Sequence, residues 1–200
     1  MRTTTRMAGL LVMIAAASAG AAMPAGAATA GATSVVNGTI AAVSGGSVTV
    51  TASDGSQTTA KIEPDTLIVS RAPATLENIK SGDALAVTAK PEANGALTAV
   101  SINIFSPALW ARVRKGQWTM ETGNIMTNAL VEQVVERVKG RTLYMKLDQG
   151  TRTISVPSGT EIDRLAIVGL SALKPGLHVR VREMADPDGT TKASNIVFDQ

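Results

Sequence analysis

Residues 43–50 read VSGGSVTV, and residues 138–145 read VKGRTLYM. In both stretches a glycine-containing turn is followed by a run in which apolar and polar side chains alternate, a pattern typical of a β-hairpin with one buried face. Gly55 and Gly150 follow at the same spacing and predict a second turn in each copy. The chain is therefore predicted to carry the same hairpin twice.

The repetition continues to the end of each copy. After one single-residue gap, Thr66 and Ile68 align with Thr160 and Ile162. The same register then matches Leu76 with Leu170, Gly82 with Gly176, Val87 with Val181, Gly95 with Gly189, Ala99 with Ala193 and Ile102 with Ile196. Because turn glycines and apolar positions coincide in one register, the pattern indicates two diverged copies of one module.

Each copy is predicted to hold five strands and a short helical turn. The strands of the first copy are Val36 to Ser44, Ser47 to Ser53, Gln57 to Glu63, Ala84 to Lys90 and Ala96 to Phe105, and the helical turns cover Ala74 to Ile79 and Leu170 to Leu173. This order favours an all-β fold of two tandem OB-like five-stranded small β-barrels, with an open β-sandwich as the alternative. The predicted domains are 35–105 and 129–200, joined by a linker over 106–128.

The first residues have the layout of a secretory signal peptide. Arg2 and Arg6 precede an uncharged apolar stretch, and Ala25-Gly26-Ala27 fits the small-x-small rule for cleavage. We expect a signal peptide over 1–27, cleavage after Ala27 with Ala30 as the second choice, and a flexible segment over 28–34. The alternative is an uncleaved anchor, although the apolar run is shorter than the roughly 20 residues of a membrane span.

Composition narrows the compartment and the partners. The chain has no cysteine, so a lipoprotein anchor, disulfides and thiol chemistry are excluded. Loss of Arg2 and Arg6 reduces the 19 basic residues to 17, against 16 acidic residues, so the exported chain is almost neutral. We therefore expect a bacterial periplasmic or secreted protein that does not bind nucleic acid.

The predicted linker contains both tryptophans of the chain, Trp110 and Trp118, with basic residues between them. Amphipathic aromatic side chains beside cations suit a partner or a membrane surface, and they also suit packing between two domains. The candidate partner-binding residues are Trp110, Arg112, Arg114, Lys115 and Trp118.

A second candidate site is a basic stripe near the end of the chain. Alternation along one strand directs Leu177, Val179 and Val181 inward and the cations between them outward, whereas the first copy has Ala84, Ala86 and Thr88 at the stripe positions. The candidate ligand-binding residues are His178, Arg180 and Arg182, extended by Tyr144 and Lys146 from another strand. An anionic envelope component is the expected ligand. The alternative is a solvated face balanced by Glu183, Asp186 and Asp188.

Several motifs also suggest a family. The two copies share a Gly-x-Leu/Val strand, an Asp-Gly turn and a Leu-x-x-Leu/Ile-Lys-x-Gly segment before the closing hairpin. This pattern resembles the bacterial domain of unknown function 5666, most clearly at Met126-Thr127-Asn128-Ala129, Gly140-Arg141-Thr142-Leu143 and Leu173-Lys174-Pro175-Gly176. The resemblance implies an exported protein with tandem small β-barrel repeats. Members are sometimes labelled metal transporter permeases, but a permease needs several spans and this sequence offers only the signal segment.

No arrangement of residues predicts catalysis. His178 is the only histidine, and a nucleophilic triad or a histidine-rich metal site needs partners that it lacks. The glycines occur singly at turns and form no phosphate loop or dinucleotide fingerprint. We therefore expect a non-enzymatic binding or protein-interaction module of the bacterial envelope, without cofactor or metal. The alternative is a periplasmic protein that binds a small anionic ligand or a metal ion.

Overall fold

The computed structural model describes residues 31–137 and 140–200. The predicted signal peptide lies outside the described residues, as do positions 28–30, Val138 and Lys139. The described part is all-β, with one short α-helix and two 3-10 turns, at Leu76–Asn78 and Leu170–Ala172. Its elements are β1 (Thr33–Ser44), β2 (Ser47–Ala52), β3 (Gln57–Pro73), β4 (Ala84–Pro91), β5 (Leu97–Phe105), α1 (Pro107–Trp110), β6 (Gly116–Thr119), β7 (Ile125–Arg137), β8 (Gly140–Leu147), β9 (Gly150–Val156), β10 (Glu161–Ile167), β11 (His178–Ala185) and β12 (Thr191–Asp199).

The predicted hairpins form, and short polar side chains close their turns. β1 and β2 pair up to Ser44 and Ser47, with Gly45 and Gly46 at positive φ between them. In the second copy Arg137 pairs with Gly140, so Gly140 begins β8 instead of occupying the turn position that Gly45 has.

The Asp188 side chain accepts a hydrogen bond from the Thr190 amide at 2.9 Å, and Asn94 accepts one from the Ala96 amide at 3.0 Å. Asp188 thus serves its turn in the same way as its counterpart in the first copy.

β3 is much longer than the strand predicted over Gln57 to Glu63. It pairs with β12 through Ile62, omits residues 63–66 from the ladder, and resumes at Leu67. Thr66 holds this irregularity, because its hydroxyl donates to Ala193 O at 2.6 Å and accepts from the Glu63 amide at 2.9 Å. Pro64, which suggests a strand end in the sequence, lies where no ladder donor is needed.

Two closed circuits of five strands organise the molecule. Ring A has the order β1-β2-β3-β12-β11 and closes through the pairing of β11 with β1. Ring B has the order β7-β8-β9-β5-β4 and closes through β4 with β7. In each circuit one junction is parallel, β3 with β12 in ring A and β5 with β9 in ring B, and the other junctions are antiparallel.

Each ring takes strands from both of the predicted copies. Ring A combines the first three strands of copy one with the last two strands of copy two. Ring B combines the first three strands of copy two with the last two strands of copy one. The buried cores follow the rings: one contains Ile40, Val48, Val50, Ala60, Ile68, Leu173, Val179, Val181, Ala193, Ile196 and Phe198, and the other Ile79, Leu85, Val87, Ala89, Ala99, Ile102, Ile104, Ala129, Val131, Leu143, Met145, Ile154, Val156 and Ile162. The two copies are thus exchanged, in contrast to the expected tandem order in which each copy encloses its own core.

None of the helices in the described ranges, 31–137 and 140–200, is long and apolar enough to cross a membrane.

Candidate functional site

The basic stripe lies on β11 with the orientation that the sequence pattern predicts. His178, Arg180 and Arg182 are exposed, whereas Val179 and Val181 are buried in the core of ring A. Successive residues of a strand point to opposite faces, so the three basic side chains share the outer face of the ring. This places the stripe on the surface; ligand binding there stays a prediction.

Neighbouring strands extend the outer face on both sides of β11. β1 places Thr39 opposite His178 and Asn37 opposite Arg180, and β12 places Val197 opposite Arg180. An open cleft of about 530 Å³ runs across this surface. Four strands of ring A, namely β1, β3, β11 and β12, and the residue that follows β2 line this cleft: Asn37, Gly38, Ser53, Arg71, His178, Val179, Arg180, Val197 and Asp199.

One end of the cleft holds an ion pair. The Arg71 Nε lies 2.6 Å from Asp199 Oδ1, and Arg71 Nη1 lies 4.0 Å from Asp163 Oδ2. The hydrogen bond from Arg71 lowers the pKa of Asp199, and it raises the pKa of Arg71 in return. Beside this pair, Thr39 Oγ1 lies 3.3 Å from His178 Nδ1, and the tautomer of the ring decides which atom donates.

The acidic residues that the sequence offered as a balance for the stripe are engaged elsewhere. Asp186 forms an ion pair with Lys192 at 3.2 Å, and Asp188 binds Thr190 in its turn. Glu183 follows Val179 and Val181 on the inner face and is only 3% exposed. Within residues 31–137 and 140–200, Arg180 and Arg182 therefore have no acidic partner in an ion pair.

The expected extension of the stripe is not formed. Tyr144 and Lys146 lie on β8, whose neighbours are β7 and β9 of ring B, whereas β11 pairs with β1 and β12 of ring A. The reason is the exchange of strands between the copies, which places these two strands of the second copy in different rings.

The predicted linker over residues 106–128 forms regular secondary structure. It forms α1, in which the Ser106 side chain caps the helix start, and β6, which pairs with the first half of β7. Trp110 stacks on Phe105 with ring centroids 6.3 Å apart. Arg114 lies 4.5 Å from the centre of the Trp118 ring, and Lys115 lies 5.1 Å from that of Trp110.

These contacts bring Trp110, Arg114, Lys115 and Trp118 into one cluster on ring B. Arg112 is exposed and instead lines a separate cleft beside Leu170 and Val168. Lys146 joins the cluster, because it lines an open cleft of about 430 Å³ with Trp110, Lys115 and Asp148. The half-buried tryptophans are thus packed against their own chain, and a partner at this surface stays a prediction.

The cleft also contains residues that the sequence did not single out, namely Asn37, Arg71 and Asp199. Arg71 follows the apolar run Leu67-Ile68-Val69, which is typical of a buried strand and signals the continuation of β3. Asp199 and Asn37 have no distinguishing local pattern, since only the exchanged pairing brings β12 beside β3 and β11 beside β1.

Residues 37–103 match the family model of a domain of unknown function, DUF5666. The resemblance predicted from the motifs is confirmed for the first copy. The DUF5666 segment runs from within β1 to within β5, so in this chain it supplies three strands to ring A and two to ring B. No curated protein and no solved structure matches the chain.

The described residues contain no group of three or more histidine, aspartate or glutamate side chains placed to hold a metal ion.

Proposed function

We propose that this chain is an exported, non-enzymatic binding protein of the bacterial envelope that holds an anionic group of its partner in the cleft of ring A. The proposal combines the signal-peptide pattern with the exposed cations Arg180 and Arg182 of β11, which form no ion pair within residues 31–137 and 140–200. Export places the mature chain, beginning at Ala28, in the periplasm or outside the cell.

The strand order supports two OB-like barrels whose halves are exchanged. In ring A three consecutive strands are followed by the parallel junction of β3 with β12, and β11 closes the circuit on β1. A 3-10 turn precedes the last two strands, at Leu170–Ala172. Three strands, a short helical element and a final hairpin are the sequence of elements expected of an OB-like barrel, a scaffold that binds ligands on one strand face and the adjoining loops.

The proposal rests on the exposure of Arg180 and Arg182 and on their lack of acidic partners among the described residues. Both are exposed, lie two residues apart on one strand, and have no ion pair among the described residues, although acidic residues are nearby in sequence. Arginine presents a planar set of donors that fits carboxylate and phosphate oxygens in pairs, with charge-assisted hydrogen bonds. Arg180 lines the cleft, where Asn37 and Ser53 add neutral hydrogen-bonding groups, and Arg182 lies two residues further along β11.

The lining of the cleft also indicates which anions are disfavoured. Proteins that bind single-stranded nucleic acid combine a basic groove with aromatic rings on which the bases stack, and none of the residues that line this cleft except the His178 imidazole is aromatic. Carboxylate-bearing or phosphate-bearing envelope components fit the surface better.

A charge reversal tests the proposal. Arg180→Glu combined with Arg182→Glu is expected to abolish recovery of envelope components that crosslink to the tagged mature protein. Arg152→Glu with Lys174→Glu makes the same change in net charge at exposed positions away from the cleft, and it is expected to leave recovery unchanged. Equal recovery with both double variants would show that the stripe is only a solvated surface.

A further inference from the structure

We propose that the free edge of β1, residues 34–37, accepts an extended acidic segment of a partner protein as an additional antiparallel strand. This inference rests on the proposed function, since it names how the partner that supplies the anionic groups docks beside Arg180 and Arg182.

The edge is defined by the pairing of β1. At Gly38 and Thr39 the strand pairs with both β11 and β2, and from Ile40 to Ser44 its ladder continues with β2. Over residues 34–37 it pairs with β11 alone within the part of the chain that the structure describes. Ile40 donates its amide to Leu177 O on the β11 side, and Ala32 O accepts from the Ala185 amide there. Because backbone groups alternate along a strand, those of Val35 and Asn37 point to the free side.

In ring B the corresponding strand edge is covered by another strand. β1 and β7 each carry a one-residue irregularity, between Ile40 and Ala42 and between Val131 and Gln133. These two irregularities mark equivalent positions, so Ile40 corresponds to Val131. Three residues earlier in each strand, Asn37 therefore corresponds to Asn128. In ring B the corresponding edge is occupied, because β6 pairs Gly116 with Asn128 and Thr119 with Ile125. An antiparallel strand therefore fits this edge of the module.

In ring B the covering strand belongs to the chain itself, since β6 reaches its edge through residues 120–124. Among residues 31–137 and 140–200 no strand covers the corresponding edge of ring A. We therefore assign this edge to a partner protein.

Charge complementarity favours an acidic segment over a second copy of this chain. An added strand lies about 4.8 Å from β1, which places its outward side chains within reach of the long side chains of Arg180 and Arg182 on the far side of β1. Val35, opposite Arg182, is 42% exposed and offers an apolar contact to the same face. Pairing between two copies of the β1 edge would instead bring two arginine stripes together.

The test uses the mature chain and two labelled peptides, one of alternating glutamate and valine and one of alternating lysine and valine. We expect the acidic peptide to bind in fluorescence anisotropy and the basic peptide not to bind. Val35→Pro removes an amide that faces the free edge and is expected to weaken binding at least tenfold. Val35→Thr keeps the amide and loses only part of the apolar contact, so it is expected to weaken binding far less than Val35→Pro.

Hydrogen exchange on the unmodified chain provides a second measurement that does not depend on the folding of the proline variant. Addition of the acidic peptide is expected to protect the amides of Val35 and Asn37. Unchanged exchange there, or equal binding by Val35→Pro, overturns strand addition. If Arg180→Glu with Arg182→Glu still abolishes binding in that case, the proposed anionic cleft stands and only the docking mode fails. Concentration-dependent dimerisation through the same amides would assign the edge to a second copy and also overturn the inference.

Discussion

Arg71 on β3 pairs with Leu165 on β10, and the repeat register makes these two positions counterparts of one another. The pairs on either side are mirrored, since Val69 faces Ile167 and Pro73 faces Asp163. The two copies therefore meet across an approximate two-fold axis between Arg71 and Leu165, where each contributes the same stretch of strand.

This meeting point explains why the copies exchange their strands. β3 continues as a strand from the ring A core to Pro73, so the chain leaves ring A before β4 begins. Its second half pairs with β10, and β10 in turn lies parallel to β5. β4 and β5 then complete the core around β7, β8 and β9. A sharp turn near Pro64 would have been needed to return the chain to its own first strands.

The exchange predicts that neither repeat folds independently. A fragment of residues 31–105 contains three strands of ring A and two of ring B, and a fragment of 106–200 contains the remainder. Each fragment alone leaves both cores incomplete, so we expect weak β-sheet signal in circular dichroism from either one and recovery of the full signal on equimolar mixing. Two fragments that each give a cooperative thermal unfolding transition would contradict the exchanged arrangement.

Local sequence patterns predicted the elements of this fold well. The alternation in Ser47 to Ser53 and Ala84 to Lys90 gave strands that the structure confirms within a residue or two, because the side-chain period of a half-buried strand is recorded in the sequence itself. The helical turns before Gly82 and Gly176 also form, as 3-10 turns.

The partners of those elements could not be predicted in the same way. Both copies have the same alternating pattern, so β4 fits equally well beside β1 or beside its counterpart β7, and only the path of β3 decides between them. For the same reason His178 and Arg180 were placed correctly on one face of a strand, whereas Tyr144 and Lys146 were assigned to the wrong surface. Pairing between distant strands depends on the whole fold and leaves no short-range signal.

Gly38 is required by a close approach between β1 and β2. A Cβ atom at this position would lie 2.2 Å from the carbonyl oxygen of Thr51, which is part of the backbone and cannot move aside. Gly38→Ala is therefore expected to destabilise the protein by about 3 kcal/mol, the upper end of typical overpacking costs. Urea denaturation measures the change.

Gly169→Ala is the matched control for Gly38→Ala. Gly169 has a negative φ, and its nearest atom would be the flexible Ser171 Oγ at 3.8 Å. We expect its stability to change by less than about 1 kcal/mol. The counterpart of Gly38 in ring B is Ala129, so a Cβ atom is accommodated at that position there. If Gly38→Ala and Gly169→Ala are equally stable, the backbone of ring A can move to accept a Cβ atom in the same way.

Export is tested at the N-terminus of the protein recovered from its native cells. The cleavage site proposed after Ala27 predicts that Edman or mass-spectrometric sequencing of the periplasmic or secreted protein begins at Ala28. Ala27→Leu places a large side chain next to the cleaved bond and is expected to leave the precursor uncleaved, whereas Ala27→Ser is expected to be processed normally. An intact Met1 in the wild-type protein of the envelope fraction would show that the segment is an anchor.

Glu183 makes stability depend on pH in a direction opposite to that of most carboxylates. Burial beside the ring A core raises its pKa above the ordinary value of 4.5, and a hydrogen bond with Ser34 offsets part of that effect. The folded state therefore binds the proton more tightly than the unfolded state. Its contribution to stability is fully present below about pH 4.5 and is lost as pH rises through the folded pKa.

Glu183→Gln removes this titration while keeping the shape of the side chain. We expect the variant to gain stability relative to the parent as the pH is raised from about 4 to 7, as measured by urea denaturation at each pH. Glu92→Gln, in the exposed turn between β4 and β5, controls for the loss of one negative charge. A difference between Glu183→Gln and the parent that stays constant across this range would mean that burial does not raise the pKa of Glu183.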